Sequence, residues 1–286
     1  MYVVAGATGR VGSATARNLL AAGAEVRVLV RGESAAQGWE EQGAEARCVD
    51  LEDRAALGEA LKGCTGFFVL LPFDMTAEDL AVHADRLINS LAGAVADQKV
   101  PHVVMLSSGG ADLAEGTGPI AGLHRMERAL LATGTTLTAL RSGHFQEKFT
   151  DVLDSVRGDG IYPVFAASAD VPLPMVATAD IGEAASRALQ SPPERSETLD
   201  LIGPEYSERD VAIALGSALG RELQVVTIPE EAWGPTLINS GLPPHIAESL
   251  AELHRADEQG LLAPRGNRRI DVSTPVETTI AHVLSA

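Results

Sequence analysis

Along the first half of the chain, short apolar runs alternate with apolar stripes of helical period. Met1 to Ala5 is the first run, and strand-like runs follow at Glu25 to Val30, Ala44 to Val49, Gly66 to Leu71, His102 to Ser107 and Leu137 to Arg141. Between them apolar residues recur every three or four positions, as one face of a helix does. The clearest stripe predicts a helix from Ala77 to Val95, with Leu80, Ala84, Leu87, Ile88, Leu91 and Val95 on one side. Strands that alternate with helices build βαβ units, so the pattern predicts an α/β fold with a doubly wound parallel sheet. Near-continuous apolar runs such as Phe67-Phe68-Val69-Leu70-Leu71 agree, because a parallel sheet is covered on both faces.

Beyond Phe145 the pattern breaks into shorter elements at Gly158, Gly160, Pro163, Pro172, Pro174 and Pro192-Pro193. This predicts a sheet domain over residues 1–150 and a smaller C-terminal α/β lobe over residues 151–286. A strand at Thr198 to Ile202 is expected to return to the main sheet, leaving the lobe discontinuous in space. The 286 residues, 45% of them hydrophobic, suffice for one large core plus such a lobe.

The first strand runs directly into Gly6-Ala7-Thr8-Gly9-Arg10-Val11-Gly12, followed by Val11, Ala14 and Leu19 on one helical face and Gly23 as a C-terminal cap. A strand, a glycine turn and a helix start aim backbone N–H groups at one point, where a pyrophosphate can sit; a Cβ there blocks the approach. The spacing Gly-x-x-Gly-x-x-Gly departs from the Gly-x-Gly-x-x-Gly fingerprint, so the context carries the assignment. The alternative is an ordinary strand-to-helix turn.

Strand two ends Val28-Leu29-Val30-Arg31, with Arg31 19 residues after Gly12. A carboxylate at this place bonds a ribose 2′-hydroxyl, whereas an arginine accommodates a 2′-phosphate. Arg31, with Arg10 as a second positive charge, therefore favours NADP(H) over NAD(H), although Glu33 nearby weakens the local field and a solvated loop arginine is the alternative. Ligands of such sheets lie beyond the carboxyl ends of the strands. Asp50 and Leu51 are thus placed to meet the adenine, and Leu71, Pro72, Ser107 and Ser108 to line the path to the nicotinamide.

With 39 acidic against 22 basic residues, the net charge of −17 opposes nonspecific attraction to nucleic acid or anionic lipid. The two cysteines, Cys48 and Cys64, and the absence of zinc-type Cys/His spacing suggest neither a disulfide framework nor a metal site, and fit a cytoplasmic protein. The strand begins too early for a signal peptide, and no apolar run approaches the ~20 residues of a spanning helix.

Gly6 to Gly12, Val28 to Arg31, His124-Arg125-Met126-Glu127, Thr133-Gly134 and Leu140-Arg141-Ser142-Gly143-His144-Phe145 together resemble the NmrA-like family of atypical short-chain dehydrogenases/reductases. Asp180-Ile181 and Leu201-Ile202-Gly203-Pro204 look like second-half landmarks of that family, so the resemblance covers nearly the whole chain. Ser142 departs from it, the family often having proline after the arginine. The resemblance implies a Rossmann fold that binds NADP(H). It leaves function divided, since some members look like reductases of quinones or of phenolic enone-like and ether-like compounds, and others regulate a protein partner.

Ordinary short-chain reductases deliver a proton from a Tyr-x-x-x-Lys pair, and no tyrosine and lysine here have that spacing. This disfavours a third reading, epimerase or dehydratase chemistry on a nucleotide sugar. His124 is the leading candidate for proton donor or substrate anchor, near the start of the helix after Ser107-Ser108, with Ser107 as a second catalytic candidate. Glu127, one helical turn on, is placed to orient the His124 imidazole, unless the two are only a surface pair. The His-x-x-Glu spacing has no third partner for a metal. His144 and Phe145, with Ser108, are candidate walls of the substrate pocket, and Trp233 and Gly241 to His245 belong to the lobe closing over it. Two expectations follow: an NADPH-dependent oxidoreductase acting on a small quinone-like or enone-like substrate, or a non-catalytic NADP(H) sensor read by a protein partner.

Overall fold

The computed structural model describes residues 1–285. Strands β1 (Tyr2–Val4), β2 (Val26–Val30), β3 (Glu45–Cys48), β4 (Gly66–Val69), β5 (His102–Ser108) and β6 (Thr136–Ser142) are joined by helices. These are α1 (Arg10–Ala21), α2 (Glu33–Glu40), α3 (Arg54–Leu61), α4 (Leu80–Gln98) and α5 (Ile120–Ala132). The chain continues through β7 (His144–Phe145), a 3-10 segment (Gln146–Val152), α6 (Leu153–Gly158), β8 (Ile161–Val164), β9 (Leu173–Val176), α7 (Thr178–Gln190) and β10 (Glu197–Ile202). It ends with β11 (Glu205–Tyr206), α8 (Glu208–Leu219), β12 (Gln224–Thr227), α9 (Glu230–Asn239), α10 (Pro244–Glu258), β13 (Arg268–Asp271) and α11 (Val276–Ser285).

Eight strands form one parallel sheet in the order β13-β10-β6-β5-β4-β1-β2-β3, which contains the Rossmann order 3-2-1-4-5-6. One face is covered by α3, α4 and α5, whose Leu57, Leu61, Leu87, Leu91, Met126 and Leu130 pack on Phe67, Val69 and Val103. The other is covered by α1, α2 and α7, whose Leu19, Trp39, Ile181 and Leu189 pack on Val4, Val28, Phe68 and Val104. A separate core, including Phe149, Val156, Tyr162, Met175, Val211, Leu215 and Ile280, holds the lobe together around short sheets β11-β9-β7 and β12-β8. No described helix is long and apolar enough to cross a membrane.

Two of the boundaries that differ from the periodicity have a local cause. β4 ends at Val69 rather than Leu71, because Pro72 brings no N–H to extend a ladder. The long helix starts at Leu80 rather than Ala77, because the Asp79 carboxylate accepts from the N–H groups of Ala81 (2.9 Å) and Val82 (3.0 Å) and so fixes the N-cap.

The return to the sheet is larger than the single expected strand. β10 pairs with β6, and β13 adds beyond it, with Leu201 opposite Ile270. α7 belongs to the sheet layer too: Gly182 lies so close to α1 that an added Cβ would stand 2.4 Å from the Ala14 Cβ and 2.9 Å from the Thr15 nitrogen. Buried Glu147 seats the helix by accepting from the Thr178 N–H (3.0 Å) and hydroxyl (2.5 Å), placing a carboxylate at the positive end of α7.

Candidate active site

Each glycine of the turn does a different job. Gly6 has φ +67°, a left-handed conformation that L side chains rarely adopt. Gly12 is locked by contact: a Cβ there would stand 2.2 Å from the Gly6 carbonyl oxygen and 2.9 Å from that of Ala5. At Gly9 the nearest atom to such a Cβ is the Gly6 oxygen at 3.4 Å, so the chain itself scarcely requires glycine. Gly9 is also the N-cap of α1, with no side-chain cap and no acidic residue in the first turn. The first helical bond runs from the Ser13 N–H to the Gly9 oxygen, which leaves the N–H groups of Arg10, Val11 and Gly12 facing outward. Uncapped N–H groups, a side-chain-free approach and the positive end of a helix fit a pyrophosphate.

Thr8, Gly9 and Arg10 are exposed, whereas Val11 is buried against the sheet. The Arg10 guanidinium donates to the Thr150 hydroxyl at 3.3 Å and so bridges to the 3-10 segment. Arg31 is exposed directly after β2. Asp50 is exposed past β3, its carboxylate accepting from the Glu52 N–H at 2.9 Å, and Leu51 packs partly into the core. Leu71 and Pro72 are half-buried beyond β4. All of these lie at the carboxyl edge of the sheet or in the turn that faces it, as the sequence predicts.

The ends of β5 and β6 hold something the sequence reading missed. Arg141 on β6 and Glu127 on α5 form a bidentate pair at 3.1 and 2.7 Å, and Ser107 donates its hydroxyl to Glu127 Oε1 at 2.6 Å. All three are buried, at 7%, 6% and 3% exposure for Arg141, Glu127 and Ser107. Asp112 lies 3.8 Å from Arg141 and also meets Arg265 at 3.2 Å. Asp200 lies nearby on β10: burial pushes its carboxyl above the usual range, with Oδ2 accepting from the Gly266 N–H at 2.6 Å and Oδ1 unpartnered. The available signal was an arginine closing an apolar strand, Leu137 to Arg141, which calls for a buried counter-charge.

This network corrects one expectation. Glu127 does not orient His124, because both its oxygens are taken by Arg141 and Ser107. The His124 Nδ1 instead bonds the Ala111 carbonyl at 2.9 Å; a carbonyl only accepts, so Nδ1 carries the proton and Nε2 is left open. The Ser107 hydroxyl proton is likewise committed to Glu127.

Helix α10 roofs the edge. Its His245 Nε2 bonds the Ala77 carbonyl at 2.8 Å, and Gly118 in the loop after β5 lies against it, a Cβ there standing 2.2 Å from the Ser249 oxygen. Just beyond it, Leu262 packs equally closely on Gly109. On its inner face His254 stacks on Phe165 (5.2 Å between ring centroids) beside fully buried Trp233, and burial pulls its imidazole down to about 3. One turn further, Asp257 meets the His144 Nε2 at 3.1 Å. Phe145 is half-buried against the sheet core. A surface groove lined by Ile213 and Leu223 runs elsewhere, along α8, and shares no residue with this edge.

Burial pushes the Asp257 carboxyl up, but the His144 hydrogen bond with the charges of His144 and Lys148 holds it below the usual range. A carboxyl lowered on folding adds stability above its unfolded pKa and loses it as pH falls through the folded value. The stability gap between wild type and Asp257→Asn should therefore be present at about pH 5 and close as pH falls below about pH 4. Urea unfolding across that range measures it; a gap that does not close on acidification contradicts the assignment.

An NAD(P)H azoreductase from Xenophilus azovorans is 25% identical over 255 residues, 89% of this chain and 86% of that protein. Agroclavine dehydrogenase from Claviceps fusiformis is 30% identical over 166 residues, about half of each protein. Among solved structures, triphenylmethane reductase of Citrobacter sp. with NADP(H) superposes with a TM-score of 0.81 at 21% identity, covering 99% of both chains. An NADPH complex of a quinone oxidoreductase from Escherichia coli superposes with a TM-score of 0.74 at 21% identity, covering 99% of this chain and 100% of that one. These similarities accompany a match to the NmrA-like family over residues 2–282, and the chain belongs to that family.

Proposed function

We propose that this protein is an NADPH-dependent oxidoreductase that reduces a small quinone-like or enone-like acceptor. The observation that carries the reading is the uncapped glycine turn at the sheet's switch point, between β1 and β4, with an exposed arginine ending the neighbouring β2. The reductases among its relatives support it; none of those named above is described as a regulator.

In this reading Gly6, Thr8, Gly9, Arg10, Val11 and Gly12 hold the pyrophosphate, and Arg31 pairs with the 2′-phosphate. Asp50 and Leu51 flank the adenine. Leu71, Pro72 and Ser107 line the nicotinamide path, and Ser108, His144 and Phe145 wall the acceptor. The nicotinamide supplies hydride when bound. The protein's part is to orient the acceptor, exclude water and manage the accompanying proton, and His124 Nε2 is an anchor for a donor group on the acceptor. Tyr162 takes no part: its hydroxyl donates to Glu208 at 2.8 Å inside the lobe, and burial pushes it up.

The test is a calorimetric titration with NADPH, NADP+, NADH and NAD+, followed by acceptor-dependent NADPH oxidation. Tight binding of the phosphorylated forms is expected. Losing a charge-assisted contact costs about 1.5–3 kcal/mol, so Arg31→Glu should weaken NADPH about 10- to 100-fold and spare NADH. Unchanged NADPH affinity in that variant removes Arg31 from the phosphate site; no binding of any form removes the whole reading.

A further inference from the structure

The proton-bearing side chains at the carboxyl edge are mostly committed. Ser107 donates to Glu127 and Glu127 is paired to Arg141, while Tyr162, inside the lobe, donates to Glu208. His124 touches no carboxylate among the described residues, its Nδ1 resting on a backbone carbonyl. His144 is different. Its Nε2 is held by Asp257 at 3.1 Å, while its Nδ1 has no hydrogen-bond partner among the described residues and is not sealed from solvent. It stands two residues beyond Ser142, which lies opposite Ser108 in the sheet. A carboxylate on one nitrogen fixes the ring and aims the other, the arrangement a proton-donating imidazole needs.

We propose that His144, positioned by Asp257, faces the acceptor and gives the proton that completes its reduction, so that the acceptor carries a carbonyl or similar heteroatom directed at Nδ1. This rests on the reductase reading above. Hydride brings two electrons to the acceptor and leaves negative charge on its oxygen. The Nδ1–H bond of the imidazolium then breaks, its electron pair stays on the nitrogen, and an O–H bond forms. His144 becomes neutral with its Nε2–H still on Asp257, and solvent returns the proton. The charged and titratable groups around the ring are Asp257 and His254 on α10 and Lys148 on the 3-10 segment; its strand partner on β9 is the uncharged Met175.

The experiment compares a quinone, whose reduction needs this proton, with a cationic triarylmethane dye, which hydride alone neutralises. For His144→Gln the ratio of quinone to dye kcat/KM should fall about 100-fold or more, within the span typical of general acids. The wild-type quinone kcat/KM should decline with rising pH, and this limb should vanish in the variant. Asp257→Asn should lower quinone kcat more than it raises KM, and Asp257→Glu should restore part of it. NADPH affinity by calorimetry, assigned above to the glycine turn and Arg31, should stay within about twofold. Equal losses with both acceptors, or a retained pH limb, make His144 structural and overturn the proposal. A wild type that binds NADPH but reduces neither acceptor overturns the reductase reading and this proposal with it; an intact ratio in an active enzyme overturns this proposal alone.

Discussion

Replacing Glu127 with alanine is expected to remove about 3–5 kcal/mol of folding stability, the usual consequence of stripping one partner from a buried ion pair. Arg141 would keep its charge between two strands, 7% exposed, with only Asp112 at 3.8 Å and the Asp200 carboxyl nearby. Ser107 would lose its acceptor as well. A domain holds only about 5–15 kcal/mol in total, so the variant should unfold at far lower urea concentration. The double variant Glu127→Met, Arg141→Met separates pairing from packing. If the penalty is an uncompensated guanidinium, removing both charges should restore most of the stability. A loss below about 1 kcal/mol in the single variant would show that water or Asp112 already satisfies Arg141.

The second large effect separates two glycines three residues apart. Gly12→Ala places a methyl group 2.2 Å from the Gly6 oxygen and 2.5 Å from its carbonyl carbon, both backbone atoms of the turn. Strand, turn and helix must move apart, which should remove about 1–3 kcal/mol or more and abolish NADPH binding together. Gly9→Ala meets nothing closer than 3.4 Å, so its thermal midpoint should change little. Its methyl group instead occupies the approach to the α1 N–H groups, and NADPH affinity should fall at least tenfold. Thermal melting and calorimetry on the two variants check both halves. If Gly9→Ala bound NADPH normally, the pyrophosphate would not lie over Gly9.

Much of this was legible in the sequence because it is local. Strand periodicity, the glycine turn and the arginine ending strand two each lie within a few consecutive residues. The sheet order follows from them, since βαβ crossovers leave few alternatives. β13 was not legible: Arg268-Arg269-Ile270-Asp271 has one apolar residue, and only its place beside Leu201 makes it a strand. The short lobe strands failed likewise, Pro163 and Pro174 falling inside β8 and β9. The site divides along the same line. Glu127 and His124, near in sequence, suggested a pair, yet Glu127 turns to Arg141 fourteen residues away on another element. Asp257 lies 113 residues from His144, and nothing local in either segment announces their contact.

The return of β10 to β6 also bears on how the chain is made. On the ribosome, residues through Ser142 emerge with β6 as an open edge, its ladder groups unmet and Arg141 without the Asp200 strand beside it. The edge stays open until some sixty further residues have been synthesised, and α1 waits for α7, which ends at Gln190. The nascent N-terminal half thus exposes an unpaired strand edge, the kind of surface that makes partly synthesised chains prone to aggregate. Chimeras within the family should accordingly exchange residues 1–145 and 178–202 as one piece.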